Sequence, residues 1–126
     1  MKDDPILAQM AALVRELAAI GKEEDEALLH FDFAAFAALA ERRGHLQQRL
    51  AELGRALEER LQRPDCARWR AQTKRARAAL VAQIEQQQKA DAERLMRLQA
   101  LAEVGNWLLN AACAATEPGY GPRGAR

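Results

Sequence analysis

The sequence predicts an all-α protein: an elongated antiparallel three-helix bundle, coiled-coil-like, with a long third helix and a disordered C-terminal tail. Three observations predict it. Alanine, leucine, glutamate, arginine and glutamine dominate the composition, and these are strong helix formers. Valine, isoleucine, threonine and aromatics are scarce, which leaves little material for strands. Leucines and other apolar residues recur at alternating intervals of four and three, the spacing of a bundle seam. With 126 residues the chain holds one domain with a modest core. The bundle is expected over 1–115 and the tail over 116–126.

The first helix is expected to start with Asp4 as N-cap and Pro5 at the first helical position, where proline has no donor to lose. Its seam is Ile6, Met10, Leu13, Leu17 and Ile20, resuming at Ala27 and Leu28 and ending near His30. The charged run Lys22 to Glu26 reads as a solvated face. Asp32 is a suitable cap for the second helix. Phe31 before it and Phe36 after it have the spacing of a hydrophobic staple, so the turn is expected to be a packed corner. The second helix runs from Phe33 to Gln62 along Phe36, Leu39, Leu46, Leu50, Leu53, Leu57 and Leu61. Arg43 interrupts this seam, and the expectation is that its methylenes lie on the seam while its charge reaches water. Gly44 and Gly54 each cost about 1 kcal/mol against alanine in a helix interior.

Pro64 stops the second helix, and Asp65 can cap the third. That helix carries Trp69, Ala76, Leu80 and Ile84, then the polar patch Gln86 to Lys89. It resumes at Leu95, Leu98, Ala102, Gly105, Leu109 and Ala112, with a second stripe of Leu101, Val104, Leu108 and Ala111 beside the first. By rise per residue the helices span roughly 40, 45 and 75 Å. The surplus of the third helix should begin near Leu98, and it is apolar on two stripes. Apolar surface left in water costs about 25 cal/mol per Å², and a large patch marks a binding surface. Three outcomes are open: a break near Gln88 to Asp91 with a fold-back, a homodimer, or a docked partner helix.

Chemistry of other kinds finds little support. His30 and His45 stand in no recognisable metal-ligand motif, so neither a metal nor another cofactor is expected. The chain has no serine and no glycine-rich phosphate loop, and an enzyme is not expected. Arg60, Arg63, Arg68, Arg70, Lys74, Arg75 and Arg77 cluster around Trp69, but Glu58, Glu59 and Asp65 dilute them. They read as a solvated helix surface rather than a nucleic-acid patch. The formal charge of +1 agrees. Cys66 and Cys113 would be roughly 70 Å apart along one helix, too far to pair. The acidic start and the lack of a run of about 20 apolar residues predict a cytosolic protein with no membrane insertion.

Three stretches resemble the FlgN family of flagellar type III export chaperones. One is Asp32 to Arg43, similar to the family's aspartate-capped second helix with its leucines and basic pair. Another is Leu101 to Leu109 with Gly105-Asn106, although the family tends to place asparagine first. The last is Gly119-Tyr120-Gly121-Pro122-Arg123-Gly124, which looks like the family's C-terminal tyrosine–glycine ending. The resemblance implies a non-enzymatic protein that binds the amphipathic C-terminal segments of hook–filament junction proteins and brings them to the export gate. It implies a client groove at Leu98, Leu101, Val104, Trp107 and Leu108, and a contact between Tyr120 and the cytoplasmic domain of the gate. The competing readings are a structural coiled-coil dimer or adaptor, and a FliT-type chaperone whose client is the filament cap protein.

Overall fold

In the computed structural model, which describes residues 4–116, the chain is all α-helical with no strand among those residues. Helix α1 spans Pro5–Leu29, α2 spans Phe33–Gln62 and α3 spans Ala67–Thr116, with a short 3-10 turn at Pro64–Cys66 before α3. The described residues fall into two compact units, one ending at Asp91 and the other beginning at Ala92. The boundary therefore lies inside α3, which is a single α-helix through Gln88 to Asp91 rather than a broken one. Tyr120 and the remainder of the tail lie outside the described residues.

Within the first unit, local chemistry sets the helix starts. The Asp4 Oδ1 accepts from the amides of Ile6 at 2.9 Å and Leu7 at 3.4 Å, with Pro5 opening α1. Asp32 Oδ1 accepts from the Ala35 amide at 3.0 Å and caps α2. Asp65, expected to cap α3, instead falls inside the 3-10 turn, where its Oδ1 accepts from Cys66 Sγ at 3.8 Å. The turn's tighter hydrogen bonding delays α3 to Ala67.

The α1–α2 turn is a Schellman ending. The Phe31 amide donates to Leu28 O at 3.1 Å and the Asp32 amide to Ala27 O at 2.8 Å. This motif requires the left-handed conformation at Phe31, which has φ 56° where glycine is usual. The expected packed corner does not form. Phe31 is 65% exposed and Phe33 48%, their rings meeting edge-on at 6.5 Å. The left-handed residue turns its side chain with the chain reversal and away from the core.

The core of this unit is centred on α1. Leu7, Met10, Leu13, Val14, Leu17, Ile20, Ala27 and Leu28 are all buried, whereas α2 buries no residue fully. Leu7, Met10 and Val14 cluster with Leu80 of α3, and Leu50, Leu53, Leu57 and Ile84 close around them. α1 buries a wider arc than its predicted seam because it packs against two helices at once. The α1 and α2 backbones run close together, while α3 is joined mainly through long side chains. A recess of about 400 Å³ opens between the three helices, bordered by Met10, Val14, Leu50, Gly54 and Ile84.

A polar clamp holds one end. Asp4 Oδ2 accepts from Arg60 Nη1 at 2.6 Å and from the Trp69 indole at 2.7 Å. The Arg60 guanidinium also lies 4.2 Å over the Trp69 ring. The start of α1 therefore sits beside the end of α2 and the start of α3, so α1 and α2 run antiparallel. Burial opposes ionisation of Asp4, but the Trp69 hydrogen bond, the Leu7 and Ile6 amides and the Arg60 charge outweigh it and hold the carboxyl below its ordinary 3.8. A carboxyl depressed on folding stabilises the fold above its unfolded pKa, and that gain disappears as pH falls through the folded pKa. Asp4→Asn should therefore cost about 2 kcal/mol at pH 7, from the weakened charged hydrogen bonds with Arg60 and Trp69, since asparagine caps a helix about as well. Urea unfolding followed by tryptophan fluorescence should show the gap between variant and parent shrinking as pH falls below 3.8 and through the lower folded-state pKa. A gap that persists unchanged in strong acid would exclude the carboxylate as its source.

The arginine-rich stretch is a solvated face only in part: Arg63, Arg68, Lys74 and Arg75 are exposed, as the sequence suggests, while Arg60, Arg70 and Arg77 are engaged. Besides Arg60, Arg70 Nη1 donates to Leu61 O at 2.8 Å and to Arg63 O at 2.7 Å, closing the end of α2. Arg77 donates to Thr73 Oγ1 at 3.2 Å and to Arg70 O at 2.8 Å. Helix ends leave orphan carbonyls, and the Arg70 guanidinium satisfies those at the end of α2.

Candidate functional site: an exposed apolar helix face

Two features of the molecule stand apart from ordinary core packing. One is a charged cluster in the first unit that sequence reasoning missed. Glu24, in the run expected to face water, is 1% exposed. Arg43, expected to reach solvent, has a side chain only 12% exposed. They meet: Arg43 Nε donates to Glu24 Oε1 at 3.0 Å and Oε2 at 3.3 Å, and Nη2 also donates to Oε1. Arg43 Nη1 lies 2.8 Å from Asp91 Oδ1, and Gln87 Nε2 bridges Asp91 Oδ1 at 3.2 Å to Leu17 O at 3.3 Å. Both expectations fail for one reason. A guanidinium too deep to snorkel must be paired, and the partner is a carboxylate on the facing helix. A signal was present. Glu24 continues the four–three spacing of Leu13, Leu17 and Ile20, and Arg43 stands on the α2 seam, so both charges point inward.

The other feature is the helix of the second unit. Between Leu98 and Thr116 the chain carries one charged residue, Glu103. Its polar neighbours Gln99, Asn106 and Asn110 fall within one narrow arc with it at about 100° per residue, and the rest of the circumference is apolar or small. Val104 is 55% exposed, Trp107 68%, Leu108 54% and Leu109 62%, while Leu98 and Leu101 are half-buried. A helix that is apolar over most of its circumference normally lies in a protein interior. This one does not.

Of the five residues predicted for a client groove, Leu98, Leu101 and Leu108 share one seam, and Val104 flanks it. Trp107 lies off that seam, about 120° around the helix from Leu101. The five are thus on one helix but not on one narrow stripe. Tyr120 lies outside the described residues. What this face offers is burial: each half-exposed leucine is worth about 1 kcal/mol when fully covered. Among the described residues no group of three or more His, Cys, Asp or Glu side chains is placed to hold a metal ion. Also among them, no helix is long and apolar enough to cross a membrane. Neither Cys66 nor Cys113 is in a disulfide. Comparison with known protein families, curated proteins and solved structures finds no match.

Proposed function

We propose that this chain is a FlgN-like flagellar type III export chaperone working in the cytosol. It binds the amphipathic C-terminal segments of hook–filament junction proteins, keeps them from assembling early and brings them to the export gate. The client helix lies along Leu98, Leu101, Val104 and Leu108, with Trp107 closing over its edge. Tyr120 meets the cytoplasmic domain of the gate. A coiled-coil-like arrangement of the long helices belongs to the same reading. The observation that supports it most is the exposed apolar arc of α3, whose geometry suits a helix-in-groove contact read at i, i+3 and i+7.

The test is a double substitution, Leu101→Asp with Leu108→Asp, and calorimetric titration with a peptide from the C-terminus of a junction protein. Affinity should fall at least about 100-fold, because two carboxylates would have to be desolvated on the contact seam. Helix content should hold, since Leu108 is already 54% exposed and Leu101 is only half-buried. Unchanged affinity would remove the client from this face.

A further inference from the structure

Residues 98–112 follow a strict seven-residue frame. With Leu98 at position a, the a and d positions are Leu98, Leu101, Gly105, Leu108 and Ala112. Ala102 and Leu109 fall at e, and Val104 and Ala111 at g, so the flanks are apolar too. The polar residues Gln99, Glu103, Asn106 and Asn110 all fall at b or f, the outer face. The same frame read upstream puts Leu80, Ile84, Gln87 and Asp91 at a and d, and these are positions the first unit buries or half-buries. The exposed seam thus continues, in register, one that already packs helices.

Two details select its occupant. Gly105 stands in mid-helix, where glycine costs about 1 kcal/mol relative to alanine. A Cβ built there would meet nothing within 4 Å, so no neighbour in its own chain requires glycine. The second detail is the order of sizes along the seam. Two copies paired antiparallel set each a position against a d position. Leu101 of one copy then faces Ala112 of the other, and Leu108 faces Gly105, twice over by symmetry. Every large side chain meets a small one, which lets the layers interdigitate. Parallel pairing would set Leu108 on Leu108 and Gly105 on Gly105, a crowded layer beside an empty one.

We propose that 98–112 forms an antiparallel homodimer interface, with Leu108 of each copy seated over Gly105 of the other. The contact is isologous, so it closes at two chains. It is about 22 Å long, short beside a standard interface of about 1,600 Å², so the dimer is reversible. A dimer of this kind covers the face that a client helix would use. That competition rests on the chaperone reading; the pairing does not.

Sedimentation of the full chain over roughly 1–500 μM tests the pairing, with a monomer–dimer transition expected inside that range. Gly105→Leu should weaken association at least about tenfold while helix content holds or rises, because leucine is the better helix former. Adding Leu108→Ala to Gly105→Leu should restore association, since large again faces small. In a chain carrying Cys66→Ser and Cys113→Ser, Leu101→Cys with Ala112→Cys should oxidise to a covalent dimer, and Leu101→Cys alone should not. A chain that stays monomeric throughout the range overturns the proposal. So does undiminished association of Gly105→Leu, or ready cross-linking of Leu101→Cys alone. A client peptide that binds with full affinity to a monomer of this kind leaves the chaperone reading standing while the pairing fails.

Discussion

Arg43→Ala is expected to destabilise the first unit by about 3–5 kcal/mol, the range found when one member of a buried ion pair is removed. The size follows from what is left behind. Glu24 has a side chain only 2% exposed and receives two Nε contacts and an Nη2 contact from Arg43. Without the guanidinium, its charge would have to be carried in a medium that solvates it poorly. The decisive comparison is the double variant Glu24→Leu with Arg43→Met. Removing both charges and keeping the volume should cost far less than Arg43→Ala, and can be neutral, because desolvation of both groups offsets much of their attraction. Urea midpoints by far-UV circular dichroism separate the two cases. A double variant as unstable as the single one would show that the cluster contributes through packing rather than through charge.

The same cluster shows which parts of the fold are legible in the sequence. Asp4-Pro5, Asp32 and Pro64 act on backbone groups within a few residues, so the bounds of α1 and α2 can be read from local chemistry alone. Glu24 and Arg43 are 19 residues apart, and Asp4 and Trp69 are 65 apart. A charge on a seam has two physical solutions, snorkelling or pairing, and only the facing residue decides between them. Phe31 was ambiguous in a similar way. Its spacing fits a staple, but the turn that forms needs a positive φ there, which carries the ring outward. The exposed face of α3 was visible for the opposite reason. It depends on composition along one helix, with Glu103 the single charge between Leu98 and Thr116, and not on any long-range pairing.

Leu17→Ala and Leu108→Ala make the same chemical change, and their effects should diverge. Leu17 is 2% exposed at the centre of the α1 core, where the lost side chain leaves a cavity that three helices cannot easily close. The expected loss is about 2–5 kcal/mol. Leu108 is 54% exposed, and alanine is the stronger helix former, so its stability change should stay within about 0.5 kcal/mol. Association should show the reverse order. Leu108→Ala removes the side chain that any partner on this face must cover, whether a client helix or a second copy, and should weaken binding by about tenfold. Leu17→Ala, assayed at a temperature where the chain is still folded, should leave that affinity unchanged, because Leu17 sits in the first unit and contributes nothing to the 98–112 seam. Thermal melts and sedimentation on the same two samples measure both quantities. A Leu108→Ala chain that melts as early as Leu17→Ala would mean the face is structural after all, since a surface that stabilises the isolated chain is already in use and has no burial left to offer a partner.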